Sequence, residues 1–133
     1  MKGWELFAIC SGAFPPSKEF EPYLLHYCNQ HRDDPQVGQH ARYTMGRLLK
    51  AQDLPPRKEI PTAIEVEAVK EMKPVVVRVY HLDGSYHMMP VTSWTTPERL
   101  NEMMAARLGI KNAAPFALYE MTPEGEERYL EKD

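Results

Sequence analysis

The sequence predicts an α+β chain: a three-helix N-terminal segment followed by a small sheet-and-helix unit. Three observations carry this. Apolar residues recur at helical spacing up to about residue 50. The double prolines Pro15-Pro16 and Pro55-Pro56 cut that half into helix-sized pieces. From Val75 the period switches to two, in Val75-Val76-Val77-Arg78-Val79-Tyr80, followed by the turn signal Asp83-Gly84.

Residues 3–13 form the first expected helix, with Trp4, Leu6, Phe7, Ile9, Cys10 and Phe14 as its apolar bulk. Phe14-Pro15-Pro16 ends it, because proline lacks an amide donor and disfavours helix in the residue before it. Ser17 then reads as the N-cap of a helix over residues 18–31, with Phe20, Leu24, Tyr27 or Cys28, and His31 as its stripe. Asp34-Pro35 opens a third helix as N-cap and first-turn proline, with Val37, Ala41, Met45 and Leu48 facing inward, and Leu54-Pro55-Pro56 stops it. Thr62-Ala63-Ile64-Glu65 is a capping box and starts a short helix whose Ile64, Val66 and Val69 need cover.

The hairpin after Lys73-Pro74 has two possible registers. A two-residue loop pairs Val79 with Met88; a three-residue loop with Gly84 left-handed pairs Val79 with His87 and Val77 with Met89. The second is favoured, because it gathers Val75, Val77, Met89 and Val91 on one face, and a one-residue slip would flip every side chain. Pro90 marks the second strand as an edge. Thr96-Pro97 caps a helix ending at Leu108-Gly109 with Leu100, Met103 and Met104 at helical spacing. A third strand is expected over Phe116–Met121, a turn at Thr122–Gly125 and a short fourth strand at Arg128–Leu130. Hairpin, helix, strand, strand is the order of a ubiquitin-like β-grasp, here a partial one. Met89 and Met103 are expected in the core, with Met88 and Met104 left open between core and surface.

Net charge is −3, divided as +2 over residues 1–58 and −5 over residues 59–133. The acidic second half argues against nucleic-acid binding, which needs basic surface to neutralise phosphates. No apolar run approaches the roughly 20 residues that span a bilayer, and Glu5 stands where a secretory signal needs its apolar core. Two cysteines, Cys10 and Cys28, on apolar helix faces suggest free thiols and a reducing compartment.

The candidate chemistry is sparse. His26, Cys28, His31 and His40 hold metal-ligand types, but His26 and Cys28 lie two apart on a helix and face apart, so no metal site is expected. A Cys10-dependent enzyme is the remaining catalytic reading, without any elbow or glycine-rich motif in support. No phosphate-binding glycine pattern and no cofactor are expected. Arg42, Arg47, Lys50, Arg57 and Lys58 form a basic cluster that could contact an acidic partner or serve only as a solvated face.

The run Gly3-Trp4-Glu5-Leu6 to Ala13-Phe14-Pro15-Pro16-Ser17 resembles the signature of the myosin tail homology 4 domain, a helical module preceding a FERM domain in tails of unconventional myosins and of a plant kinesin. Ile60-Pro61-Thr62 to Ala68 resembles the junction between the two. Lys73-Pro74-Val75, Leu82-Asp83-Gly84, Thr95-Thr96 with Leu100, and Phe116-Ala117-Leu118-Tyr119 resemble the first, ubiquitin-like FERM lobe, most closely that of class VII myosins. The resemblance implies residues 1–58 as the last part of the helical module, 59–73 as a helical connector docking it onto the lobe, and 74–133 as a partial lobe. Relative to the family the chain is expected to be cut at both ends.

The implied function is a non-catalytic, cytoplasmic and cytoskeleton-associated adaptor in a motor tail. It would bind cargo or adaptor proteins and microtubules, the latter through Arg42, Arg47, Lys50, Arg57 and Lys58. Actin would be reached only through a motor domain outside this chain. The alternative is a stand-alone ubiquitin-like interaction module.

Overall fold

The computed structural model describes residues 1–131; the last two residues of the expected partial lobe, Lys132 and Asp133, lie outside them. The fold is α+β, with α1 (Lys2–Ala13), α2 (Glu21–His31), α3 (Gly38–Ala51), α4 (Ala63–Lys70), β1 (Val75–Tyr80), β2 (Tyr86–Val91), α5 (Pro97–Arg107), β3 (Tyr119–Met121) and β4 (Glu127–Tyr129). The chain divides into two compact units, Met1–Val75 and Val76–Asp133.

In the first unit α3 packs against both α1 and α2, and α4 packs against α1. Helix α2 begins three residues later than its serine suggested. Ser17 closes a turn, its hydroxyl accepting from the Phe20 amide at 3.3 Å. The delay has a reason: a helix starting at Lys18 would need an amide donor at residue 22, which is proline, whereas a start at Glu21 places Pro22 in the first turn. Asp34 does not cap α3: its Oδ1 accepts from the amides of Gln36 and Val37 at 2.7 and 3.0 Å and closes a turn over residues 35–37, and α3 starts at Gly38 with Val37 at its N-cap.

The buried faces differ from those the apolar pattern suggests. In α1 the buried residues are the small ones, Ala8, Ser11, Gly12 and Ala13, while Leu6 and Phe14 are exposed. In α2 the interior residue is Cys28, and Phe20 and Tyr27 are largely exposed. The interior face of α3 comprises Gly38, Ala41, Thr44, Arg47, Leu48 and Ala51, with Val37 and Met45 only half-buried. Small residues on α1 leave room for side chains of α3, Arg47 among them.

The Thr62 capping box is complete. The Thr62 hydroxyl accepts from the Glu65 amide at 3.3 Å, and the Glu65 carboxylate accepts from the Thr62 amide at 2.8 Å. Val69 is buried and Val66 half-buried, but Ile64 is 69% exposed, so the expected apolar face of this helix is narrower by one residue. Thr62→Ala is expected to lower unfolding free energy by about 1 kcal/mol. A denaturant titration with unchanged midpoint would contradict the cap's contribution.

In the second unit the first hairpin has the three-residue loop. The His81 amide donates to Ser85 O at 2.8 Å, the Gly84 amide donates to His81 O at 3.0 Å, and Gly84 has φ of 85°. Counting back from His81–Ser85 sets Val79 opposite His87 and Val77 opposite Met89, the favoured register. Met89 is buried between its half-buried neighbours on that face. The same loop recurs at Thr122–Glu126, where the Thr122 amide donates to Glu126 O at 2.9 Å and Gly125 has φ of 86°. Here β3 pairs antiparallel with β4, Tyr119 opposite Tyr129 and Met121 opposite Glu127.

Thr96 caps α5 and Gly109, with φ of 72°, ends it, as its sequence implies. Met104 is buried and Met88 exposed; Met103, expected in the core, is half-buried. The third strand is shorter than expected. The Asn101 side-chain amide donates to Ala113 O and Phe116 O at 3.1 and 3.0 Å, which holds the chain up to Phe116 against α5, while Leu118 O still accepts from the Leu130 amide at 3.0 Å at the end of the pairing. The result is two separate two-stranded sheets, β1-β2 and β3-β4.

Candidate interaction surfaces

The five basic residues of the expected cluster do not form one exposed patch. Arg47 points inward and is 8% exposed. Its Nε donates to Ala8 O at 2.8 Å, and its guanidinium carbon lies 5.7 Å from the Tyr43 ring centroid. Burial holds its pKa below the ordinary arginine value, with Tyr43 opposing. Guanidinium tolerates such a site better than ammonium, being weakly hydrated and always charged. Gly12 makes the room: a Cβ there would lie 1.9 Å from Arg47 Nη2. Arg47 is therefore a packing residue of the α1–α3 seam.

Arg57 is also structural. Its amide donates to Ala13 O at 2.9 Å, and its Nη1 and Nη2 reach Glu65 Oε1 and Oε2 at 2.7 and 3.4 Å. Burial of Glu65 opposes ionisation, but the Arg57 guanidinium and the Thr62 amide together hold its carboxyl below the usual range. This fork ties the proline-rich segment after α3 to the end of α1 and the start of α4.

Arg42, Lys50 and Lys58 remain exposed. Arg42 Nη1 donates to Arg32 O at 2.6 Å, anchoring the chain after α2 while leaving charge at the surface. Arg42 and Lys50 share the outer face of α3 with Gln39 and Leu49. The sequence offered no means to separate these three from the two structural arginines, because charge alone does not report direction in a helix whose interior accepts an arginine.

Among the described residues, no three His, Cys, Asp or Glu side chains gather where they could hold a metal ion. Of the cluster first considered, His26 is exposed while Cys28 is buried, His31 Nδ1 lies 2.9 Å from Tyr27 O, and His40 Nδ1 is buried without a hydrogen-bond partner. Burial pushes the Cys28 thiol up to about 11, the opposite of an activated nucleophile. No described helix is long and apolar enough to cross a membrane.

The second unit holds a cavity of about 450 Å³ between α5 and the chain on either side of β3 and β4. Glu98, Asn101, Ala105, Phe116, Leu118 and Leu130 are among its lining residues. Asn101, through its two carbonyl bonds, fixes the wall opposite α5.

The family model of the MyTH4 domain matches residues 1–68, and that of the RA like domain matches residues 73–133. Unconventional myosin heavy chain 6 of Caenorhabditis elegans is 34% identical over 118 residues, 89% of this chain but 6% of its own length. Myosin-VIIa of Drosophila melanogaster is 29% identical over 89% of this chain and 5% of its length. The rice kinesin-like protein KIN-14I is 27% identical over 90% of this chain and 10% of its length. The MyTH4-FERM MF1 domain of Dictyostelium discoideum myosin VII superposes with a TM-score of 0.81 at 23% identity, over 97% of this chain and 27% of that one. The human myosin 7b C-terminal MyTH4-FERM domain, solved with the harmonin-a PDZ3 domain, superposes at 0.79 and 23% identity, over 98% of this chain and 26% of that one. The order of elements, the Trp4-to-Ser17 segment and these matches agree: the chain belongs to the MyTH4 domain family, with an RA-like lobe following as in the homologous MyTH4-FERM tails of class VII myosins.

Proposed function

We propose that this chain is a non-catalytic adaptor segment of a cytoskeletal motor tail, working in the cytoplasm and binding partner proteins and microtubules. The observation that carries the proposal is the collinear pairing of the two modules, which recurs in both myosin and kinesin relatives. Two motors that walk on different tracks share this pairing, so its common work is attachment and not force generation. Binding of harmonin-a PDZ3 by the human relative supports a protein partner for this chain. Actin would be engaged only by a motor domain elsewhere in a longer protein.

For microtubules the contact narrows to Arg42, Lys50 and Lys58. Residues 1–58 carry a net +2, and these three side chains expose it. Acidic polymer surfaces attract such charge in a salt-dependent way. In a co-sedimentation assay at low salt, Arg42→Glu/Lys50→Glu/Lys58→Glu is expected to weaken binding about tenfold or more, since like-charge juxtaposition costs several kcal/mol at an interface. Wild-type binding should fall as salt rises. Co-sedimentation that is indifferent to both salt and the triple substitution would remove the electrostatic contact.

A further inference from the structure

We infer that His81 and His87 form a two-imidazole chelate for a divalent transition metal of tetragonal preference, Cu²⁺ above all. The two residues frame the first hairpin turn. His81 Nε2 and His87 Nδ1 lie 2.8 Å apart, with ring centroids at 5.0 Å and the planes nearly perpendicular. Both side chains are half-buried on the face that also carries Met89.

The proximity of the nitrogens permits a chelate, and the donor type selects the metal. Metal–imidazole bonds run about 2.0–2.1 Å, so two nitrogens on one ion lie about 2.9 Å apart at a right angle and about 3.3 Å apart at a tetrahedral angle. The observed 2.8 Å is that of the hydrogen bond between the rings, and a small displacement separates it from either spacing. The pair now shares a proton along the nitrogen–nitrogen line. Coordination replaces that proton when both rings turn their lone pairs toward a common point, an adjustment of the broad terminal torsion and not of the backbone. The backbone is already set by the His81–Ser85 bond and left-handed Gly84.

Charge in the turn favours a cation. Ser85 donates to the Asp83 carboxylate through its hydroxyl at 2.6 Å and its amide at 2.9 Å, which holds that carboxylate in the turn between the two histidines. The nearby cation on the same side, Arg107, is engaged by Met88 O at 3.2 Å and Met89 Sδ at 3.7 Å. Arg78 lies on the other face, over Tyr86 at 5.3 Å. Two protein donors with solvent in the other positions make an exchangeable site, with affinity following the order Cu²⁺ above Ni²⁺ and Zn²⁺. Occupancy ties the strands together at the turn.

The test is calorimetric titration of the full 133-residue chain with Cu²⁺ at neutral pH, with electron paramagnetic resonance and amide line-broadening on the same samples. The expected result is one site, two imidazole nitrogens on copper, and broadening centred on residues 80–88. His81→Gln and His87→Gln should each weaken the site by more than about tenfold, the low end of the loss from removing an outer-shell partner alone. His26→Gln, at an exposed histidine of α2, should leave it unchanged. Broadening centred on His26, His31 or the chain start, or affinity retained in His87→Gln, would overturn the assignment; so would absence of a saturable site. Because the spectroscopic readouts locate the metal in the wild-type chain, poor folding of a variant does not rescue or sink the inference.

Discussion

Gly12→Ala is expected to destabilise the helical unit by about 2–3 kcal/mol, against the gain of about 1 kcal/mol that the same change confers in an unobstructed helix. The new Cβ would fall 1.9 Å from Arg47 Nη2 and 2.8 Å from its Cζ. The guanidinium must leave, and with it go the Nε bond to Ala8 O and the stacking on Tyr43. Arg47→Met by itself is expected to be close to neutral, since a well-packed apolar chain escapes the desolvation cost of a buried charge. Methionine ends about where arginine has its Nε, which lies 3.3 Å from the added Cβ. That contact is tight but is relieved by a few tenths of an ångström of thioether movement, so in the Arg47→Met background Gly12→Ala should cost much less than in the wild type. Chemical denaturation of the four species reads the coupling directly. Additive effects would mean that the glycine is there for some other reason than to seat the arginine.

The isolated chain is expected to self-associate through the outer edge of β1 as concentration rises. The two edges of the first sheet are not alike. On β2 the outward backbone positions are Tyr86, Met88 and Pro90. Proline there has no donor to offer, and Arg107 of α5 donates to Met88 O at 3.2 Å. On β1 the outward positions are Val76, Arg78 and Tyr80, and the described residues supply no third strand. Such an edge templates strand addition unless charge or proline blunts it, and Arg78 is the one charged side chain of β1. Sedimentation velocity should show a rising weight-average mass for the wild type. Val76→Pro, which removes an outward amide without breaking a ladder bond, should restore the monomer. A wild-type monomer across the concentration series would refute the open edge. Association that survives Val76→Pro would point instead to the exposed apolar side chains, of which Leu82 and Ile60 are the most accessible.

Local chemistry made much of this protein legible in advance. The Thr62 and Thr96 caps, the stop at Gly109, the proline ends of α1 and the left-handed Gly84 all depend on a few neighbouring residues. Each observed geometry follows from what those residues can donate, accept or sterically allow. The modular order was legible too, because the period of apolar residues changes from helical to alternating near Val75.

Direction and depth were not. The apolar bulk of α1 is Trp4, Leu6, Phe7, Ile9, Cys10 and Phe14, yet its buried residues are Ala8, Ser11, Gly12 and Ala13, because a packed seam buries what fits and not what is largest. The basic cluster looked like a single surface, yet Arg47 fills a slot that a glycine on another helix provides, and Arg57 is claimed by Glu65. Phe116 to Leu118 had strand grammar, but the Asn101 amide takes the Phe116 carbonyl that a longer strand would need. By itself the sequence determined where each element starts and stops to within a few residues. Only the tertiary structure decided which charges are buried and which edges stay open, since those depend on partners 8 to 39 residues away along the chain.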